Sequence, residues 1–240
     1  MKSLYLLFFL MLILSSCGRK TAPLPIEKSI PEAPTLEIEV TTLGFNLWIT
    51  LPEKTKGGFP LTKVKGLILE REEIPISGKE KSRIKQIKLK PKLHSAGRIF
   101  LYSDTDLRAS HLYKYKIKIE KDFLVKTPFT EEKSAYWTIP PNFPQRISYA
   151  LTEDKQLLLI WTPPTTDLQN QPLYGELFYR VSKIINQESI TYELRETRFL
   201  DSFNPEIKVC YRLQALLNYY GTIIPGPQTG LICPSIPKGS

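Results

Sequence analysis

The amino-acid sequence predicts an all-β protein made of two tandem β-sandwiches. Three observations predict it: two-residue alternation in the clearest segments, 20 prolines against 12 glycines, and a pattern that recurs after about 110 residues. Alternation with period two marks a strand with one buried face. Proline breaks helix interiors but suits turns, linkers and strand ends. The 240 residues suffice for two domains of ordinary size. With 42% apolar and 24% charged residues, the chain can fill packed cores and is not broadly disordered.

The first element is a leader. Lys2 precedes a continuous apolar stretch, Leu4 to Leu14, followed by Ser15-Ser16-Cys17. A positive start, a short apolar stretch and a small-residue site are the three regions of a secretory signal, predicted here over residues 1–16. The stretch is shorter than the roughly 18 residues that a bilayer span needs. The junction Leu14-Ser15-Ser16-Cys17 resembles the lipobox of bacterial lipoprotein precursors. That resemblance implies cleavage after Ser16, diacylglycerol on the Cys17 thiol and acylation of the new amino group. A thiolate is the strongest nucleophile available for such alkylation, and two or three acyl chains anchor stably where one does not. Gly18 follows the cysteine, with no Asp there; by analogy with Gram-negative sorting this implies the outer membrane, on its periplasmic or surface face. Residues 17–33 then read as a lipidated cysteine and a proline-rich, semi-extended tether carrying Pro23, Pro25 and Pro31.

Residues 34–139 form the expected first sandwich. Leu36-Glu37-Ile38-Glu39-Val40 alternates, and Leu47 to Leu51 reads as the next strand. Residues 72–98 form an enlarged region in which Ile84, Ile87 and Leu89 break step once, predicting a bulge. Tyr113 to Ile119 is the clearest strand, with Tyr113, Tyr115, Ile117 and Ile119 on one face and Lys114, Lys116 and Lys118 on the other.

Residues 140–236 form the expected second sandwich, read from the repeat. Pro31-Glu32-Ala33-Pro34 recurs as Pro141-Asn142-Phe143-Pro144. Leu47-Trp48-Ile49-Thr50-Leu51-Pro52 is echoed by Leu158-Leu159-Ile160-Trp161-Thr162-Pro163, a shift of 111. Tyr113 to Ile117 corresponds to Val209-Cys210-Tyr211-Arg212-Leu213.

At these residues the chain resembles the fibronectin type III family of immunoglobulin-like sandwiches. Trp161-Thr162-Pro163-Pro164 is similar to the end of the family's second strand, and Pro172-Leu173-Tyr174-Gly175 to the approach to its third. Tyr211-Arg212-Leu213-Gln214-Ala215 is similar to its penultimate strand, with Gly221 in the following turn. In the first copy Tyr113, six residues after Leu107, fits the family's tyrosine corner, whose hydroxyl satisfies a loop backbone group. Trp48 sits two residues earlier than the family's tryptophan, and Val209 stands where the second copy's corner tyrosine would be.

The remaining cysteines, Cys210 and Cys233, lie on neighbouring antiparallel strands with a turn near Gly221 midway. Export to an oxidising space suits a disulfide between them; a register shift at Pro225-Gly226 would leave two thiols instead. The two histidines, His94 and His111, have no cysteine or paired carboxylate at metal-ligand spacing. No glycine-rich phosphate loop, nucleophile elbow or catalytic triad pattern is present. The expectation is therefore no enzyme, no metal and no cofactor.

Charge is uneven. Residues 31–140 carry 20 basic and 14 acidic side chains, whereas residues 141–240 carry 9 of each. Lys85, Lys88, Lys90, Lys114, Lys116 and Lys118 form a candidate surface for an anionic partner, or else protect strands from edge-to-edge pairing. Tyr219 and Tyr220, at the last hairpin loop, are either a recognition contact or a seat for the neighbouring sandwich. Export removes nucleic acid from the candidate partners. The reading is a membrane-anchored, non-catalytic binding or scaffold module of the cell envelope, its partners the membrane itself and an envelope protein or anionic glycolipid. The alternative is a lipid- or lipopolysaccharide-handling assembly factor that uses the basic first domain.

Overall fold

The computed structural model describes residues 25–91, 97–154, 156–202, 204 and 207–234. The leader, Cys17 and His94 lie outside the described residues. A four-residue helix α1 (Ile26–Ser29) precedes strands β1 (Thr35–Thr41), β2 (Gly44–Thr50), β3 (Gly66–Pro75), β4 (Arg83–Leu89), β5 (Ile99–Asp104), β6 (His111–Glu120) and β7 (Lys133–Trp137). They form two antiparallel sheets, ordered β1-β2-β5 and β4-β3-β6-β7.

The second half repeats this plan. Strands β8 (Gln145–Leu151), β9 (Gln156–Thr162), β10 (Glu176–Ile185), β11 (Glu188–Leu194), β12 (Arg198–Ser202), β13 (Val209–Tyr219) and β14 (Thr222–Gln228) form sheets β8-β9-β12 and β11-β10-β13-β14. A three-stranded sheet of first, second and fifth strands over a four-stranded sheet is the fibronectin type III arrangement. The fold is thus all-β, two such sandwiches in tandem.

Alternation builds each core as expected. On β6, Tyr113, Tyr115, Ile117 and Ile119 are fully buried, facing Phe45, Leu47 and Ile49 of β2 across the sandwich. On β13, Tyr211, Leu213 and Ala215 face Leu157, Leu159 and Trp161 of β9.

Pairing also corrects two details. Thr50 pairs with Thr35 as Thr162 pairs with Gln145, and the bridges Lys54–Pro60 and Thr166–Pro172 repeat at the same offset. The second strand therefore repeats at 112, not 111. A one-residue slip exchanges the faces of a strand. Ile49, not Trp48, occupies the core position of Trp161, and Trp48 lies on the outer face, 39% exposed. There its indole donates to Glu39 Oε2 at 2.9 Å. The expected bulge near Ile84 is absent, because β3 and β4 pair without interruption from Leu67–Leu89 to Glu73–Arg83. Ile84 simply faces outward at 64% exposure.

The later part of the expected tether is bonded to the first sandwich. The Lys56 and Gly57 amides donate to the carbonyls of Ile30 and Lys28, Glu32 N donates to Lys54 O, and Lys121 Nζ donates to Ser29 O at 3.0 Å. Pro31 bridges Thr55 as Pro141 bridges Asp167, so the repeated proline motif is the same entry clamp in both copies.

Candidate functional site

The lysine surface is built on the outer face of sheet β4-β3-β6-β7. Lys114, Lys116 and Lys118 point outward because their neighbours on β6 point into the core. Pairing sets Glu72, Glu70 and Ile68 of β3 directly opposite them, with Ile84, Gln86 and Lys88 of β4 beyond. Lys116 Nζ lies 2.9 Å from Glu70 Oε1, and Lys114 Nζ 2.9 Å from Glu132 Oε1. The hydrogen bond from Lys116, then that from Gln86, holds the Glu70 carboxyl below the ordinary carboxylate range, and Glu70 raises Lys116 in return. Lys118 lies over the Phe129 ring, 4.3 Å from its centre.

The six candidate lysines do not form one patch. Lys85 pairs with Arg71, a core-facing position, so it points to the opposite side of the sheet from Lys88 and lies 3.6 Å from Asp106. Lys90 follows the end of β4. A stripe whose cations alternate with carboxylates is a poor trap for a polyanion, and exposed pairs of this kind, screened by solvent, serve mainly to match neighbouring strands.

Cys210 and Cys233 are bonded, at an S–S distance of 2.02 Å. The register does shift between Gln214 and Leu216, but Tyr211 then exchanges backbone hydrogen bonds with Ile232, which returns Cys233 to the side of Cys210. Tyr219 is buried against the first sandwich and donates to Ser110 Oγ at 3.3 Å. Tyr220, at φ +51° in the hairpin turn, stacks obliquely on Tyr136 with ring centres 5.2 Å apart. Of the two roles open to these tyrosines, seating the neighbouring sandwich is the one the geometry provides.

The sequence reading missed a buried polar cluster present in both copies. In the first, Arg71 of β3 donates to both carboxylate oxygens of Asp104 at 2.9 and 3.0 Å, and Tyr115 of β6 donates to Asp104 Oδ2 at 2.8 Å. In the second, Lys183 of β10 lies 2.6 Å from Asp201 Oδ2, and Tyr211 of β13 donates to the same oxygen at 2.6 Å. All six residues are buried. The aspartates close the three-stranded sheets and their partners belong to the four-stranded ones, so each cluster pins the two layers together. Burial opposes the Arg71 charge, but Asp104 outweighs it and raises the Arg71 pKa. Burial first, then Asp104, pushes the Tyr115 hydroxyl far above its ordinary range; burial and Asp201 do the same to Tyr211.

Around Arg71 the cluster opens into a cleft of about 370 Å³ lined by Glu73, Arg83, Lys85, Asp106 and Arg108. Its charges are mutually compensated: Arg108 lies 3.2 Å from Glu73 and 3.0 Å from Glu80, and Lys85 3.6 Å from Asp106. Tyr113 also sits here, where its hydroxyl accepts from the Arg108 amide at 2.6 Å, the tyrosine-corner bond. Among the described residues, no group of three or more His, Cys, Asp or Glu is placed to hold a metal ion.

No family model matches the chain, and no curated protein matches it. Among solved structures, the FN1-FN3 domains of chicken CNTN1 are similar with a TM-score of 0.43 at 11% identity. The alignment covers 85% of this chain and 64% of that one, so the chain spans under two thirds of that structure's length. Among the described residues, no helix is long and apolar enough to cross a membrane.

Proposed function

We propose that the protein is a lipid-anchored, non-catalytic scaffold of the bacterial cell envelope, held by acyl chains on Cys17 at the outer membrane. The observation that carries this reading is the junction Leu14-Ser15-Ser16-Cys17 after an 11-residue apolar stretch. The paired sandwiches support the scaffold role: the buried Asp104 and Asp201 clusters tie the two sheets of each sandwich together. The Cys210–Cys233 bond fits export to an oxidising compartment. The interleaved Glu70 and Glu72 weigh against lipid handling by the lysine face.

Labelled palmitate tests the anchor. Wild type incorporates it and partitions with membranes, whereas Cys17→Ala does neither. Equal labelling of the two would refute the assignment. Crosslinking in cells from exposed positions of the second sandwich then identifies the envelope partner.

A further inference from the structure

The two copies differ in what covers the end of the sandwich where the chain enters. In the second copy, the hairpin joining β13 to β14 at this end packs on the first sandwich. In the first copy, the corresponding loops have no cover among the described residues. Here the β6–β7 connection presents Phe123 at 80% exposure and Leu124 at 75%, and the neighbouring segments present Ile26 at 62% and Phe59 at 44%. Scattered exposed apolar residues are ordinary, but a cluster on one surface marks a contact.

These residues do form one surface. Lys121, at the base of the Phe123 loop, donates to the Ser29 carbonyl of α1. Gly57 packs so closely on Lys28 that a Cβ there would meet the Lys28 carbonyl at 2.7 Å and the Phe59 ring at 2.9 Å. The loop tip is held outward, because Asp122 Oδ1 accepts from the Leu124 and Val125 amides, both at 2.9 Å. Lys65 lies over Phe123, and Lys28, Lys54, Lys56 and Lys63 are exposed on the same segments. Arg19 and Lys20 add positive charge in the stretch just before Pro25.

We propose that this pole of the first sandwich rests on the bilayer, with Phe123 and Leu124 entering the interface and the lysines meeting anionic headgroups. The proposal rests on the lipidation of Cys17. Pro25 is eight residues beyond that cysteine, and eight residues reach about 28 Å at most when fully extended. The described chain begins at this same pole, so the anchor holds these loops, and not the far sandwich, within reach of the membrane. Apolar side chains among an excess of cations, with Lys28, Lys54, Lys56, Lys63 and Lys65 against Glu27, Glu53 and Asp122, suit an anionic leaflet.

The test uses the full, acylated chain purified from membranes and reconstituted into phosphatidylethanolamine–phosphatidylglycerol vesicles with brominated acyl chains. Phe123→Trp adds an indole whose emission, taken as the difference from the parent protein, should fall to about half in brominated vesicles. Tyr174→Trp, on the second sandwich, should be unaffected. An acylated, reconstituted protein whose Trp at position 123 is unquenched overturns the docking surface and leaves the anchor standing. A protein that takes up no palmitate overturns both. A blue shift in the Phe123→Trp variant that grows with protein concentration in detergent alone would make a second copy the occupant, and would also overturn the proposal.

Discussion

Asp104 and Asp201 each receive a cation and a tyrosine hydroxyl in a place closed to water. Removing one member of a buried pair costs more than the pair is worth, because the other charge stays buried alone. Asp104→Ala leaves the Tyr115 hydroxyl without its acceptor and Arg71 with only the Asp106 carbonyl and the longer pairs to Glu73 and Asp106, and should destabilise toward the lower end of about 3–5 kcal/mol. Asp201→Ala should cost less, since the flexible Lys183 amine can swing toward solvent while the planar Arg71 guanidinium, whose Nη1 also donates to the Asp106 carbonyl, stays in place. Midpoints of denaturant unfolding check both, and equal losses would remove the distinction. Tyrosine gives a second prediction. Burial, opposed by its backbone bond to Arg108, pushes Tyr113 up to about 12, and Tyr115 and Tyr211 lie higher still. A raised folded-state pKa means stability that is complete below the unfolded value near 10 and is lost as pH rises through the folded value. Stability should therefore fall steeply above pH 10. These three of the 12 tyrosines should ionise only as circular dichroism is lost. Smooth ionisation of all tyrosines in one step near pH 10, with the fold intact, would refute their burial.

At the level of the strand, the sequence was most legible where one face is purely polar. Tyr113 to Ile119 alternates tyrosine or isoleucine with lysine, and β6 follows that reading residue for residue. It was least legible where both faces are apolar. Trp48 and Ile49 are equally good core residues by type, and only pairing with β1 and β5 decides that Ile49 points inward. The lysine face was half legible: its three β6 lysines are on one side as read, but Glu70 and Glu72 come from a strand more than 40 residues earlier, brought alongside only by the sheet. The buried clusters were illegible for the same reason, since Arg71 and Asp104 are 33 residues apart and each looks like surface when alone. The disulfide lies between these cases. Cys210 lies on β13 as read, but Cys233 lies beyond the end of β14 and not on it, and the closure depends on the register shift opposite Gln214 and the return of Ile232 beside Tyr211. Closing this 23-residue separation should stabilise by about 3 kcal/mol on the chain-entropy account. Reduction should lower the thermal midpoint of the chain and leave the Asp104→Ala penalty unchanged. A midpoint indifferent to reductant would show that the bond constrains nothing.

Across the whole molecule, the second sandwich completes the core of the first. Leu217, Tyr219 and Ile224 are buried among first-domain residues, and Thr222 accepts a hydrogen bond from the Tyr136 amide. Thr42 donates to the Gly226 carbonyl, and a Cβ on Gly226 would meet the Pro141 carbonyl at 2.4 Å, so the linker is pressed into the joint. An interface made of core residues couples unfolding as a core does, whereas a polar contact between tethered domains leaves them independent. The intact chain should therefore melt in one calorimetric transition, with van't Hoff and calorimetric enthalpies in agreement. Tyr219→Ala removes the central ring and the bond to Ser110, at a cost of about 2–4 kcal/mol. Because the ring seats the end of β13 in the core of the first sandwich, that loss should appear as a split into two transitions. Gly226→Val attacks the same joint through the linker backbone and should split the transition likewise. If the wild-type chain already melts in two steps that neither variant alters, the sandwiches are independent. A pole fixed at the membrane would then no longer set the orientation of the second sandwich, which is the consequence that gives the joint its place in a scaffold.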